Sequence, residues 1–263
     1  MGVKKIYCMT CGFYDFQREF ILPGDGSEKR ISIAMGMFLL EHEKGYALVD
    51  TGCAPQCAVD PAGYLGLESA DWGILDMKPE DAVDRQLQRI GIEAPDVGHV
   101  VLTHMHFDHA GGMSLFPNAV LYVQKEELLA AMWPEPKYSD GYYEIKDFEG
   151  TRNFNVKKLD GDHDIFGDGA VRLLRTGGHS RGHQMVLARM EKSGLVLLPG
   201  DACYMQRSLD KMLPPGDPIP EPEAARAALE RVRDFAGAGA RLLFSHPFRE
   251  DWKRYPQPPD FID

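Results

Sequence analysis

The sequence predicts an α/β protein, and three observations carry that prediction. Short apolar runs of strand length recur along the chain, and stretches with helical spacing lie between several of them. Four strands stop at loops that hold His or Asp, at residues 103, 176, 200 and 245. The C-terminal ends of strands are where α/β folds assemble their sites.

The elements follow in order. Residues 3–9 read as a first strand, and Pro23-Gly24-Asp25-Gly26 as a turn. Ile31 to Leu40 and Tyr46 to Val49 are apolar runs around a charged loop, a hairpin pattern that leaves His42 as solvated surface. The second run enters Asp50-Thr51-Gly52, where the carboxylate either supports a site or closes a plain turn. Residues 53–78 read as a long loop that packs down through Tyr64, Leu65, Leu67, Trp72 and Leu75. Pro79 to Ile90 is predicted as one helix, with Pro at its start and Val83, Leu87 and Ile90 on one face.

Residues 98–102 form a buried strand, 119–123 another, and Lys125 to Trp133 a helix stopped by Pro134. Residues 134–155 carry Tyr138, Tyr142, Tyr143, Phe148 and Phe154, either as a substrate wall or as a loop packed on the core. Val171 to Arg175, Gln184 to Met190 and Gly194 to Leu198 read as strands, the last two paired. Pro222 to Gly237 is an amphipathic helix with Ala225, Leu229, Val232 and Ala236 on one stripe. Arg241 to Phe244 is the last strand, and the tail from 250 reads as irregular. The organisation expected is one domain over residues 1–263.

Composition narrows the function. With 44% apolar and 26% charged residues, the chain has the make-up of an ordinary globular protein. A formal charge of -11 argues against nucleic acid or an anionic membrane as main partner and suits a small, weakly charged substrate. No apolar stretch approaches the ~20 residues of a membrane helix. The N-terminus shows no long apolar run of a signal peptide, so the expected location is cytoplasmic. The five cysteines, Cys8, Cys11, Cys53, Cys57 and Cys203, are expected as free structural thiols, including the lone Cys8–Cys11 pair.

The chemistry concentrates at THMHFDHAGG, residues 103–112. His104 and His106 are two apart, so in an extended backbone they point the same way and can grip one ion. Asp108 and His109 follow as the chain turns and can serve a second. Adding the other strand ends gives His104, His106, Asp108, His109, His179, Asp201 and His246: two sets of three ligands and one carboxylate able to bridge. His183, four residues after His179, reads as support rather than ligand. Two divalent ions ~3.5–4 Å apart share a water, lower its pKa to about 7 and polarise a carbonyl. The implied reaction is metal-assisted hydrolysis of an ester, lactone, thioester, amide or phosphodiester.

This set, HMHFDH followed by GGHSRGH, GDACY and a late SH, resembles the metallo-β-lactamase superfamily from Val49 to His246. Within it the chain is similar to the N-acyl-homoserine lactone hydrolases, through VKKIY, FLLEHEKGYALVDTG, HFDHAGG and Asp201-Ala202-Cys203-Tyr204. The resemblance implies a four-layer αβ/βα sandwich of two mixed sheets flanked by helices. It implies a metal-bridging hydroxide that opens a small lactone ring. It places His104, His106 and His179 on one metal, Asp108, His109 and His246 on the other, and Asp201 between them. Tyr204 would face the substrate carbonyl, Asp108 would pass a proton to the leaving alkoxide, and Asp50 would support the ligands. Zinc is the first expectation, with Fe, Co and Mn fitting the same donors, and a homodimer is implied. Gly177, Arg181 and Pro247 depart from the lactonase pattern, and Pro247 removes an Asp that would back the last His.

Other functions compete. A thioesterase, phosphodiesterase or β-lactamase would keep the ligands; Tyr204 favours the lactonase, and basic segments for a phosphodiester are not visible. A di-iron redox protein would need an appended flavin domain, for which 263 residues leave no room. A non-catalytic binding protein is at odds with seven intact ligands.

Overall fold

Alternation along the strand Arg30–His42 sets the architecture. Ile33, Met35, Met37 and Leu39 enter one apolar core, while Ala34, Phe38 and Leu40 enter another on the opposite face. A strand buried on both faces needs a layer on each side. The computed structural model describes residues 2–26, 29–66, 73–135, 142–216 and 219–263.

The strands are β1 (Lys5–Gln17), β2 (Arg30–His42), β3 (Gly45–Val49), β4 (Gly73–Asp76), β5 (Val97–Val101), β6 (Val120–Gln124), β7 (Asn155–Leu159), β8 (His163–Asp164), β9 (Val171–Arg175), β10 (Gln184–Arg189), β11 (Leu195–Leu198) and β12 (Arg241–Leu242). The helices are α1 (Arg18–Ile21), α2 (Pro61–Leu65), α3 (Val83–Gln88), α4 (Phe107–Ala110), α5 (Lys125–Met132), α6 (Ile145–Phe148), α7 (Gln206–Lys211), α8 (Pro222–Gly237) and α9 (Arg249–Trp252). One sheet runs β4-β1-β2-β3-β5-β6-β7, the other β12-β11-β10-β9-β8. Both are mixed: β3, β5, β6 and β7 pair in parallel, as do β11 and β12, and the remaining pairs are antiparallel.

Three cores define four layers. Phe38, Val49 and Val101 of the first sheet meet Val171, Val186 and Leu198 of the second. The outer face of the first sheet packs Leu48 and Leu121 on Val83, Leu87 and Ala131 of the helices. The outer face of the second packs Met185 and Leu197 on Ala228, Leu229 and Val232 of α8. The expected sandwich of two mixed sheets flanked by helices is therefore present.

Several local expectations change. β1 runs eight residues past Met9, because it pairs with both β2 and β4 across a bulge at Thr10–Phe13. The single helix expected over Pro79–Ile90 is a 3-10 turn, Pro79–Asp81, and then α3. Ala82 between them is extended, with ψ 143°, and the Asp81 carboxylate caps the Lys78 N–H at 2.9 Å. The polar edge strand β7 and helices α7 and α9 lay outside the expectations. Tyr64, Leu65 and Leu75 pack down as expected, whereas Leu67, Trp72 and Tyr138 lie outside the described residues.

His42 corrects the surface reading. It is 3% exposed, stacks on Phe166 with ring centroids 4.2 Å apart, and sits 3.2 Å from an Asp168 oxygen. The hairpin tip of the first sheet is pinned there to the β8–β9 loop of the second. All five cysteines are buried and free, as expected. Among the described residues no helix is long and apolar enough to cross a membrane.

Asp147 of α6 makes stability depend on pH. Burial pushes its carboxyl up to about 7, although the Tyr64 hydroxyl donates to it at 2.9 Å. The folded carboxyl then holds a proton that the unfolded chain releases near pH 4, so its contribution falls as pH rises from about 4 through about 7. Asp147→Asn is expected to flatten that decline. Urea midpoints of the two proteins, compared between about pH 5 and pH 7.5, should diverge as pH rises.

Candidate metal centre

The first donors come from the end of β5. Beyond Val101 the chain bends at Thr103, is extended at His106 (ψ 158°) and then enters α4. His104 Nε2 and His106 Nδ1 consequently lie 3.0 Å apart, on the same side as the two-residue spacing predicts. His179, from the loop between β9 and β10, brings Nε2 to 3.1 Å from His106 Nδ1. On α4, Asp108 and His109 face His246, with His109 Nε2 3.1 Å from His246 Nε2 and Asp108 Oδ2 3.5 Å from it. Among the described residues three trios could hold an ion: His104, His106, His179 on one side, Asp108, His109, His246 on the other, and His104, His109, Asp201 between them.

Asp201, from the turn after β11, stands between the outer two. Oδ2 lies 3.2 Å from His179 Nε2 and 3.7 Å from His104 Nε2. Oδ1 lies 3.1 Å from His246 Nε2 and 3.4 Å from His109 Nε2. All seven predicted residues thus converge, and all but Asp108 are buried.

Hydrogen bonding fixes what the rings offer. His109 Nδ1 donates to Asp50 Oδ2 at 2.8 Å, and His246 Nδ1 donates to the Ala34 carbonyl at 2.8 Å. The Ala34 carbonyl can only accept, and both Asp50 oxygens already accept from Thr103, so each ring keeps a proton on Nδ1. With both rings neutral, two Nε2 lone pairs would face each other across 3.1 Å. Oδ1 of Asp201, also buried, has no hydrogen-bond donor among the described residues. Lone pairs so arranged repel one another unless a cation sits among them, and His and carboxylate donors are those of zinc and its neighbours. The residues present fit a pair of metal ions.

Protonation preferences agree. Burial, reinforced by neighbouring imidazoles, drives His104 and His106 well below the usual imidazole value. Burial also lowers His179 to about 4. For His109 and His246 burial acts the same way, but Asp201 and Asp108 outweigh it and hold both above the usual value. The carboxylates there demand positive charge. For Asp201 burial opposes ionisation, yet His246, His109, His179 and His104 together hold it well below the ordinary carboxylate range.

Asp50 resolves the two readings of its turn in favour of support. It takes a left-handed backbone, φ 59°, at a cost of about 1–3 kcal/mol for a non-glycine residue. That conformation lets Oδ1 accept the Thr103 N–H at 2.8 Å and Oδ2 accept Thr103 Oγ1 at 2.9 Å, besides His109. Gly111 allows the two loops to close: a Cβ there would lie 2.2 Å from the Ala54 nitrogen. His183 supports Asp201 from below, accepting the Asp201 N–H on Nε2 at 3.0 Å.

A cavity of about 70 Å³ opens above the donors. Asp108, Asp201 and His246 form its floor, Tyr204 one side, and Tyr14, Phe16, Ile21 and Phe107 an apolar wall. The Tyr204 hydroxyl lies 3.4 Å from His179 Nδ1. Burial pushes its phenol well above the ordinary value, and the Asp201 charge adds to the effect, so it keeps its proton. His106, His179 and Tyr142 also border a wider cleft of about 420 Å³ that includes Tyr143, Leu129 and Trp133. Of the aromatic segment, Tyr142 and Tyr143 line the cleft, whereas Phe148 is buried in the core and Phe154 packs against it.

The model of the metallo-beta-lactamase superfamily matches residues 37–245, a span that includes six of the seven donors and stops one residue before His246. The chain belongs to that superfamily. Within it, N-acyl homoserine lactonase AttM of Azorhizobium caulinodans is 31% identical over 98% of each chain. N-acyl homoserine lactonase AiiA of Bacillus thuringiensis subsp. kurstaki is 31% identical over 93% of each. A solved B. thuringiensis AiiA variant with N-decanoyl-L-homoserine at its active site superposes with TM-score 0.86, at 29% identity and full coverage of both chains. An N-acyl homoserine lactone hydrolase with N-hexanoyl-L-homoserine at its catalytic metal centre superposes with TM-score 0.86, at 30% identity and the same coverage.

The departures from the lactonase pattern cost the superfamily site no donor. Pro247 was expected to deprive His246 of a partner, but the Ala34 carbonyl orients that ring, while the Pro247 carbonyl accepts the Ala34 N–H at 2.9 Å. Gly177 takes φ 65°, a conformation that the more common Pro at this position cannot adopt. Arg181 points outward to Glu135. Sequence reasoning missed Thr103, the Ala34 carbonyl, the β1–α1 wall and Glu127. Only Glu127 left a trace, as an acid just beyond the end of β6, where strand ends elsewhere deliver site groups.

Proposed function

We propose that this protein is a dinuclear metal-dependent hydrolase that opens the ring of N-acyl-homoserine lactones. The observation that carries the reading is Asp201 between two complete donor trios, with the neutral Tyr204 phenol across the cavity. His104, His106 and His179 would hold one ion, Asp108, His109 and His246 the other, and Asp201 both. Zinc is the metal proposed, since three imidazoles, or two with a carboxylate, form its usual tetrahedral surroundings. When bound, such a pair supplies a water of lowered pKa and polarises a carbonyl.

The rest falls to the chain's own side chains. Tyr14, Phe16 and Ile21 offer an apolar surface to the substrate and exclude water beside it. The Tyr204 hydroxyl donates to the carbonyl oxygen as it becomes an oxyanion. Ring opening adds a water oxygen to the carbonyl carbon and breaks the bond from that carbon to the ring oxygen. The water's proton has to reach the departing alkoxide. Asp108, on the cavity floor, accepts it and passes it on.

Relatives named as lactonases, with acyl-homoserine products bound in two of the solved structures, support this substrate over a thioester or phosphodiester. The test is a pH-stat assay of the zinc-loaded protein on lactones of several chain lengths, beside acyl thioesters and a phosphodiester. Lactone turnover well above the others is expected. Turnover of thioester or phosphodiester without ring opening would overturn the proposal.

A further inference from the structure

Glu127 is a fully buried acid in the first turn of α5 that the proposed chemistry does not use. Its two oxygens accept from four donors on three segments. Oε1 takes the Met105 N–H at 2.9 Å and the Tyr143 hydroxyl at 3.3 Å. Oε2 takes the Ser180 hydroxyl at 2.6 Å and the Gly182 N–H at 3.0 Å. Met105 lies between His104 and His106, and Ser180 follows His179. Every partner is a donor, so the position calls for two acceptor oxygens, which a carboxylate has and an amide lacks. The approach is close enough to require glycine: a Cβ on Gly182 would lie 2.3 Å from the Glu127 nitrogen.

The arrangement mirrors Asp50 behind the other trio. Asp50 binds the His109 ring and the Thr103 backbone. Glu127 binds no ring. It acts on the main chain and hydroxyls beside the rings, tying two loops that belong to different sheets. His104 and His106 follow β5 of the first sheet, while His179 lies between β9 and β10 of the second. Gln184, at the start of β10, ties the two segments at their strand ends, donating its N–H to the Thr103 carbonyl at 2.9 Å and its amide to the Leu102 carbonyl at 2.8 Å. Beyond that point, at the ligands themselves, the Glu127 carboxylate spans the gap.

We propose that Glu127 is a positioning residue that sets the spacing of the His104–His106 loop against the His179–Ser180 loop, so that three imidazole nitrogens meet at one cation. The inference rests on the metal-centre reading above. It predicts a selective defect: loss of Glu127 weakens the site of His104, His106 and His179 and leaves that of Asp108, His109 and His246 intact. A carboxylate that merely held the fold together would weaken both.

Zinc affinity, measured by chelator competition in two backgrounds, separates these outcomes. His246→Ala removes a donor from the second trio only, and His106→Ala from the first only. In the His246→Ala protein, Glu127→Gln is expected to weaken zinc binding by about 10–100-fold, the usual effect of losing a ligand's supporting partner. In the His106→Ala protein the same change is expected to leave affinity within about twofold. The visible spectrum of bound Co(II) should shift in the first background and not in the second. If Glu127→Gln does not fold, Ser180→Ala removes one of the four donors, and about tenfold weakening confined to the first site is expected. Unchanged affinity in the His246→Ala background, or equal losses in both, overturns the role of Glu127 alone. A His246→Ala protein that binds no zinc overturns the metal-centre reading and this inference with it.

Discussion

Asp201→Asn is expected to abolish tight binding of the second zinc equivalent and to cut lactone hydrolysis by about three orders of magnitude. The side chain reaches both trios, with Oδ2 3.2 Å from His179 Nε2 and Oδ1 3.1 Å from His246 Nε2. The amide keeps the shape but loses the charge, and it must turn an N–H toward an imidazole lone pair on one side. Paired cations contribute several kcal/mol of transition-state stabilisation, at about 1.4 kcal/mol per tenfold in rate. Metal analysis beside the pH-stat assay checks the prediction. Two tightly bound equivalents with activity within about tenfold of the parent would contradict the bridging role.

Tyr204→Phe isolates the other half of the mechanism. The ring is buried between His179 and His246, with centroids 5.8 and 5.5 Å away, so phenylalanine fills the same space. What disappears is a phenol that burial keeps protonated. Removing one donor to a developing oxyanion costs about 10²–10³ in kcat. The fall is expected in kcat with KM changed little, because the hydrogen bond strengthens only as charge builds on the carbonyl oxygen. Metal content should stay at two equivalents. A kcat within about twofold of the parent would remove Tyr204 from the chemistry.

The site was more legible in the sequence than the fold around it, for a physical reason. Ligands must be particular residue types at particular strand ends, so HMHFDH, His179, Asp201 and His246 stand out wherever they fall along the chain. The supporting groups carry no such mark. His246 is oriented by the Ala34 carbonyl, and every residue has a carbonyl. Glu127 leaves only the faint trace of its place just beyond β6, and its burial among four donors is what tells it from a surface acid.

Among the strands and helices, those with a clear apolar run or stripe were predicted closely, as in β2, β3 and α8, and α5 was bounded by the proline that follows it. Those made by tertiary pairing were not. β1 extends because two partners flank it, and β7 is polar because it is a sheet edge, where Lys157 and Lys158 stay exposed. His42 misled for a related reason: its charged neighbours in sequence suggest water, while its neighbours in space are Phe166 and Asp168 of the second sheet.

The central claim is that Asp201 joins two cations, each held by its own trio. Anomalous X-ray scattering from crystals of the zinc-loaded protein tests it most directly. The account predicts two peaks about 3.5–4 Å apart, one ringed by His104, His106 and His179 and one by Asp108, His109 and His246, with an Asp201 oxygen on each. A single peak, or two peaks with the Asp201 carboxylate turned away from both, would contradict it.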